Sequence, residues 1–434
     1  MSEDLERLER LAVTDLEARR AWAIALKRNG NSRARLIELT IEPGASQWGE
    51  LCKLRDALPK EDQITAVVWL DPLLSHWQQL YLNYSQVSDA RPLANLTNLT
   101  SLSLGATQVS DVRPLAKLTN LKSLWLNKQV SDVSALANLT NLTHLYLEQT
   151  KVSSINALAN LTNLTSLHLS DTQVSDVRPL ANLTNLKDLW LDNTQVSDVL
   201  SLANLTSLEN LWLDNTQVNN VRPLASLTNL TQLGLSNTQV SDVGALASLA
   251  NLTRLNLSRT KVSDVSALAN LANLTIIFLD NTQVSDVSAL AHLTDLNLNN
   301  TQMSDVSALA KLTNLTSLHL SRTKVSDVSA LAHLANLAFL QLDNTQVSSV
   351  GALANLTKLK DLGLEHTQVS DVSPLAALTN ITQLRLNNTQ VSDVSPLATL
   401  NNLNYLHLSG TKVSKEQVKA LKKRLPHCHI SYVT

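Results

Sequence analysis

A chain of 434 residues ordinarily holds roughly two or three compact domains, yet 3 % aromatic content and nine glycines are low for a compact enzyme of that length. A formal charge of −2 lacks the basic excess of a nucleic-acid binder, and two cysteines, Cys52 and Cys428, cannot form a disulfide framework. Apolar content of 44 % excludes a disordered chain, and no apolar run reaches the roughly 18 residues that membrane insertion needs.

The start, Met1-Ser2-Glu3-Asp4-Leu5-Glu6-Arg7, is charged and has no apolar h-region, so the expected location is the cytoplasm. Thr14 and Glu17 have capping-box spacing ahead of a helix whose apolar face is Leu16, Trp22, Ala25 and Leu26, and Asn29-Gly30-Asn31 stops it. A second helix is expected over Gln47 to Ala57 and a first strand over Ile64 to Leu70. The stretch RRAWAIALKRNGNSRARLIEL resembles a short module that precedes repeats in some bacterial proteins. Residues 1–70 therefore read as a helical cap, in preference to a separate docking module.

From there the chain repeats itself. Residues 157–178, ALANLTNLTSLHLSDTQVSDVR, are followed by 179–200, PLANLTNLKDLWLDNTQVSDVL. Fifteen such units run from Pro92 to Gln417, and a degenerate one occupies Pro72 to Arg91. Most are 22 residues long; the unit at 114–134 has 21 and that at 289–307 has 19. Seven of the ten prolines open a unit, which fixes the phase.

Within Pro179 to Leu200, Leu180, Leu183, Leu186 and Leu189 recur every three residues, as a 3₁₀-like turn with one inward face requires. Leu189-Trp190-Leu191 then alternates, as a short strand does, and Val196 and Val199 close the unit. One unit cannot bury these leucines alone, so successive coils must stack. Thr194 and its equivalents are expected to point inward and bond backbone groups of adjacent coils. Ser197-Asp198 is placed to cap the helical segment that follows.

The pattern LxxLxxLxxLxLxxTxVxDV is similar to the 22-residue leucine-rich repeats of bacterial internalin-type proteins, over about four-fifths of the chain. Threonine stands where that family usually carries asparagine at the turn. The signal peptide, immunoglobulin-like domain and wall anchor that accompany such repeats, together with adhesion to host receptors, are not expected here. The resemblance implies an α/β solenoid, a right-handed arc with short parallel strands on its concave face and 3₁₀ or short helices on its convex face, capped at both ends. Residues 71–411 are its solenoid, of about sixteen units.

Residues 412–434 read as a C-terminal cap: Ser414 and Gln417 form a capping box ahead of KEQVKALKKRL, Pro426 ends that helix, and HCHISYV is a last strand. On a strand His427 and His429 would share a face with Cys428 opposite, too few ligands for structural zinc. The Asn-Leu-Thr triplets match the glycosylation sequon but read as repeat sequence. No phosphate loop, nucleophile elbow or zinc-protease helix is found, so neither enzyme chemistry, a cofactor nor a metal is expected.

What remains is the concave face, whose central column is the residue between the leucines of LxL. It runs Tyr81, Ser103, Trp125, Tyr146, His168, Trp190, Trp212, Gly234, Asn256, Phe278, Asn297, His319, Gln341, Gly363, Arg385 and His407. Five of its first seven members are Trp or Tyr, in a chain with only 3 % aromatics. On adjacent strands about 4.8 Å apart they would form one stripe, with Glu148, Asp188, Asp192 and Asp214 beside it and Arg254, Arg259, Arg322 and Arg385 further along. The expected binding residues are Tyr81, Trp125, Tyr146, His168, Trp190, Asp192, Trp212 and Asp214. The expected function is a protein–protein interaction scaffold for a protein or peptide partner with basic and apolar side chains. Glycan binding at a cell surface, or regulation of an enzyme held on the concave face, is the alternative; rings that only pack against each other are the bland one.

Overall fold

Leucine spacing sets the backbone of each coil. Leu183 donates its N–H to the carbonyl of Leu180 at 2.9 Å and Leu186 donates to Leu183 at 3.0 Å, so the three-residue period is a run of i to i−3 turns. The chain then straightens into a three-residue strand, where alternation buries the central leucine and turns both neighbours outward. The central leucines and the valines of the turn, from Leu80 to Leu406, are fully or almost fully buried.

The computed structural model describes residues 12, 16–28, 37, 38, 40, 77–85 and 87–433, and for 16, 17, 25–28 and 92 the backbone alone. The chain divides into two compact units, Met1–Leu208 and Glu209–Thr434. The first holds helix α1 (Leu16–Arg28) and strands β1 (Gln79–Tyr81), β2 (Ser101–Ser103), β3 (Ser123–Trp125), β4 (His144–Tyr146), β5 (Ser166–His168) and β6 (Asp188–Trp190). These strands pair in parallel and in sequence, with leucine opposite leucine at every step. Among the described residues of the second unit, eleven strands run from β7 (Asn210–Trp212) to β17 (His429–Ser431), with helix α2 (Lys415–Arg424) before the last. Each unit is thus a solenoid of strand, turn and 3₁₀ return.

The two odd-length units keep the pattern by different deletions. The 19-residue unit lacks one three-residue turn, has no 3₁₀ helix between Ile276–Phe278 and Asp295–Asn297, and still pairs Ile277 with Leu296. Removing one leucine period leaves the remaining leucines in phase. The 21-residue unit is shortened in the turn after β3. There Asn127, 2 % exposed, takes the threonine position and donates to Thr107 Oγ1 at 2.9 Å and to the carbonyl of Val109 at 2.7 Å.

That bond is what the threonines were expected to make, and they do not. Thr194 Oγ1 donates to the carbonyl of Leu191 in its own coil at 2.6 Å, and Thr172, Thr216 and Thr238 repeat the geometry, while the buried Thr150 hydroxyl makes no such bond. In the turn the hydroxyl satisfies the turn's own carbonyl, while cross-coil bonds come from threonines ahead of the strands and from asparagine amides. Thr165 Oγ1 donates to the carbonyl of Thr143 at 3.1 Å, Asn163 Nδ2 reaches that of Thr140 at 2.8 Å, and Asn185 reaches that of Thr162 at 2.9 Å. The Asn-Leu-Thr triplets therefore hold coils together through their asparagines.

Among the described residues, the turn after almost every strand, though not that after β3, also carries one left-handed residue. Asparagine occupies it at 193, 215, 237, 281, 300, 344 and 388, but Tyr84, Ala106, Gln149, Arg259, Arg322 and His366 occupy it elsewhere. A side chain other than Gly, Asn or Asp there costs roughly 1–2 kcal/mol. Ala106→Asn is accordingly expected to raise stability by about 0.5–1 kcal/mol, read as a higher urea midpoint at unchanged slope; a lower midpoint would show that the turn is not strained.

The aspartate or asparagine before most of the 3₁₀ segments caps the segment from one residue further out than an N-cap. Asp198 Oδ1 accepts the N–H of Leu200 at 2.9 Å, Asp264 that of Ser266 at 2.8 Å, and Asn220 that of Arg222 at 3.0 Å. At Asp111 the Arg113 side chain adds a second bond at 2.7 Å, and the carboxyl is held down to about 2. Backbone donors likewise hold Asp132, Asp264, Asp286, Asp305, Asp371 and Asp393 below the usual carboxylate range. Depressed carboxylates add stability that is complete above the unfolded pKa near 4 and is lost as pH falls through the folded values toward about 2. The urea midpoint is expected to fall between pH 4 and 2, and to fall less in Asp264→Asn, since Asn220 makes the same bond without charge. Equal slopes for both proteins would remove the turn aspartates from the acid response.

At the first unit's start, α1 buries Arg19, Trp22 and Ala23. Only Trp22 belongs to the expected face; the side chains of Leu16, Ala25 and Leu26, the helix expected over 47–57, the strand over 64–70 and Cys52 lie outside the described residues. The Thr40 carbonyl accepts from Arg19 Nη1 at 3.3 Å and from the Trp77 indole at 3.1 Å, and Arg19 Nε donates to the Ala12 carbonyl at 2.7 Å. Burial pushes the Arg19 guanidinium down to about 10. At the far end of the second unit the capping box closes as its spacing predicts, with Gln417 N–H on Ser414 Oγ at 3.2 Å and Ser414 N–H on Gln417 Oε1 at 3.1 Å.

Candidate functional site

Because every strand is three residues long and in register, its first and third side chains stand in columns on the outer face of the sheet. In the first unit the third position brings Trp125, Tyr146, His168 and Trp190 together as one stack. Trp125 and Tyr146 lie 4.5 Å apart between centroids at an interplanar angle of 3°. Tyr146 and His168 follow at 4.6 Å and a tilt of 49°, then His168 and Trp190 at 5.1 Å and 15°. Each of the four residues is partly buried and partly open to solvent.

The rings lean back over their own strands. His168 Nε2 sits 3.2 Å from Ser166 Oγ, and the Tyr81 hydroxyl donates to Gln79 Oε1 at 3.2 Å. Burial lowers the His168 pKa against the pull of Glu148 and Asp188, and burial together with the same two carboxylates raises that of Tyr146. The stack thus sits in a negative field.

Tyr81 is outside the stack. Ser103 lies between it and Trp125, its hydroxyl drawn down to Asn83 Oδ1, which also accepts the Gly105 N–H at 2.9 Å. The gap is a cavity of about 660 Å³ lined by Tyr81, Tyr84, Ser103, Trp125, Glu148 and Lys128 among others. Tyr84, 86 % exposed in a left-handed turn, was missed by the sequence reading. Aligning the turn column, where most coils carry asparagine, would have found it.

Asp192 is half-buried and accepts a bond from Ser170 Oγ at 3.0 Å, and burial raises its pKa. Trp212 and Asp214 belong to the second unit. A side chain at Gly234 would meet the Trp212 ring, 2.6 Å from Cε3, and the Asp214 carboxylate. That carboxylate accepts the Ser236 N–H at 2.6 Å. Glycine in the central column is therefore what makes room for the tryptophan and the acid of the neighbouring coil.

The later arginines do not form the open basic face that sequence suggested. Arg254 places its guanidinium 4.9 Å from the Phe278 ring centroid, and Arg385 pairs with Asp361 at 2.8 Å, both partners largely buried. Arg259 and Arg322 are not on the strand face at all; they occupy left-handed turns. His429 packs near Tyr405 at 6.3 Å, and Cys428 is buried with its thiol pushed up. No helix among the described residues is long and apolar enough to cross a membrane.

A family model described as leucine-rich repeats in two copies matches residues 119–160, 162–204, 206–248, 250–292 and 291–333. No curated protein sequence matches the chain. Among solved structures, a leucine-rich-repeat protein of Leptospira interrogans is similar with a TM-score of 0.77 and 22 % identity, covering 82 % of this chain and 96 % of that one. An internalin of Listeria monocytogenes, InlF, is 31 % identical with a TM-score of 0.53, covering 77 % of this chain and 87 % of that one. The plant peptide hormone receptor RGFR1, in complex with RGF2, aligns at 0.66 and 19 % identity, covering 83 % of this chain and 64 % of that one.

Proposed function

Because the chain belongs to the leucine-rich-repeat proteins, with repeats of the internalin type, we propose that it is a binding scaffold that holds a polypeptide partner against the outer face of its strands. The observation that carries this reading is the stack of Trp125, Tyr146, His168 and Trp190, four rings pre-ordered against each other and open along one edge. Rigid aromatic side chains bury much area on binding at little entropic cost, and Trp and Tyr dominate the energetics of protein interfaces. Glu148 and Asp188 add a negative field, which favours a partner with basic and apolar side chains.

The function is binding rather than catalysis. The outer-face carboxylates are tied into the scaffold: Asp192 to Ser170, Asp214 to the backbone of Ser236, Asp343 to that of Glu365 and Asp361 to Arg385. A random peptide library displayed on phage, selected on the immobilised full chain, tests this reading beside an array of glycans. Enrichment of peptides rich in basic and aromatic residues is the expected result. Binding to glycans alone would replace the proposal with sugar recognition.

A further inference from the structure

The gap in the aromatic column suggests what the partner inserts. Within the stack, each coil contributes one ring, and centroids fall 4.5 to 5.1 Å apart. At Ser103 the column misses one member, while Tyr81 and Trp125 stand on either side, two strand spacings or about 9.6 Å apart. That leaves room for one planar group between two rings. The Ser103 hydroxyl is held down by Asn83, and Ser103, Tyr81 and Trp125 all line the cavity of about 660 Å³.

Resting on the reading that the outer face binds a polypeptide, we propose that an arginine side chain of the partner enters this slot and stacks between Tyr81 and Trp125 above Ser103. The protein itself supplies two precedents among its strand side chains. His168, a planar nitrogen-bearing group, is held between Tyr146 and Trp190 two coils apart, and the Arg254 guanidinium lies over Phe278. Charge selects a cation over a neutral ring. The faces of Trp125, Tyr81 and Tyr84 are electron-rich. Glu148 lines the cavity and reaches Tyr146 and His168 electrostatically. Lys128, the one cation of the lining, stands at the turn end together with Glu148, which offsets its charge. Arginine fits better than lysine because a flat, weakly hydrated guanidinium stacks on two faces at once, whereas an ammonium is a hydrated point charge.

The test uses the full chain labelled with 5-fluorotryptophan, with Trp125 and Trp190 assigned through Trp125→Phe and Trp190→Phe. Pentapeptides Gly-Ser-X-Ser-Gly, with X as Arg, Lys, Phe or Ala, are titrated into the wild type, Tyr81→Ala and Ser103→Phe. The Arg peptide is expected to move the Trp125 resonance and to bind about five- to tenfold tighter than the Ala peptide. That advantage should vanish in Tyr81→Ala, which loses an exposed wall, and in Ser103→Phe, which fills the slot from within. Ser103→Phe should also raise the melting temperature by about 2 °C or more by completing the stack. A Phe or Lys peptide binding as tightly as the Arg peptide overturns the assignment of the guanidinium. An Arg peptide that moves Trp190 and not Trp125, or binds Ser103→Phe undiminished, overturns the slot but leaves the scaffold reading intact. If no resonance moves the slot proposal fails, while the scaffold reading stands or falls on the display selection.

Discussion

Leu189→Ala is expected to lower the stability of the first unit by about 3–4 kcal/mol. Leu189 is the central residue of β6, fully buried and paired with Leu167 on the strand before it. Truncation removes several methyl and methylene groups and leaves a cavity that the coil cannot close. The strand is pinned to its neighbour by the backbone ladder, and the 3₁₀ return is fixed by its own i to i−3 bonds. In a stacked array each coil leans only on its neighbours, so no distant core shares the loss. Leu200, eleven residues on in the same unit of sequence, is 66 % exposed, and Leu200→Ala should stay within about 0.5 kcal/mol of wild type. Urea unfolding of both variants measures the contrast. A cost below about 1 kcal/mol for Leu189→Ala would mean that the coil relaxes around the gap and that its packing is looser than the burial implies.

Trp125→Ala and Trp190→Ala remove two rings of the stack, and the pair is expected to weaken a selected peptide ligand about 10²- to 10³-fold. A stacked pair is worth roughly 0.5–1.5 kcal/mol, so the double variant should still fold. Calorimetry of binding, with thermal unfolding of the same samples, separates lost contact from lost structure. If affinity is unchanged in a folded double variant, the rings serve packing alone and the partner docks elsewhere on the chain. Tyr146 and His168 are poorer tests, since truncating a ring inside the stack breaks contacts on both of its sides.

The sequence by itself determined the repeat and most of its backbone. A leucine every third residue has only one economical solution, a 3₁₀ run with one inward face, and LxL has only the strand. The phase of the units then sets which leucine meets which, and the observed register places leucine opposite leucine or isoleucine from Leu80 to Ile430 within each unit. The aromatic members of the central column were legible for the same reason: a fixed period puts equivalent residues on one line. What only tertiary structure decided are matters of reach and direction between coils. The turn threonines bond their own turn, whereas threonines ahead of the strands and asparagine amides bond the coil before, a difference set by where each side chain stands in the coil. Arg259 and Arg322 share a sequence neighbourhood with Arg254 and Arg385, yet they stand in left-handed turns off the strand face. Ser103 reads in sequence as one polar residue in an aromatic column. It becomes a slot only when Asn83 draws it down and the rings of Tyr81 and Trp125 stand clear on either side, because a cavity is a property of three coils together and no single repeat encodes it.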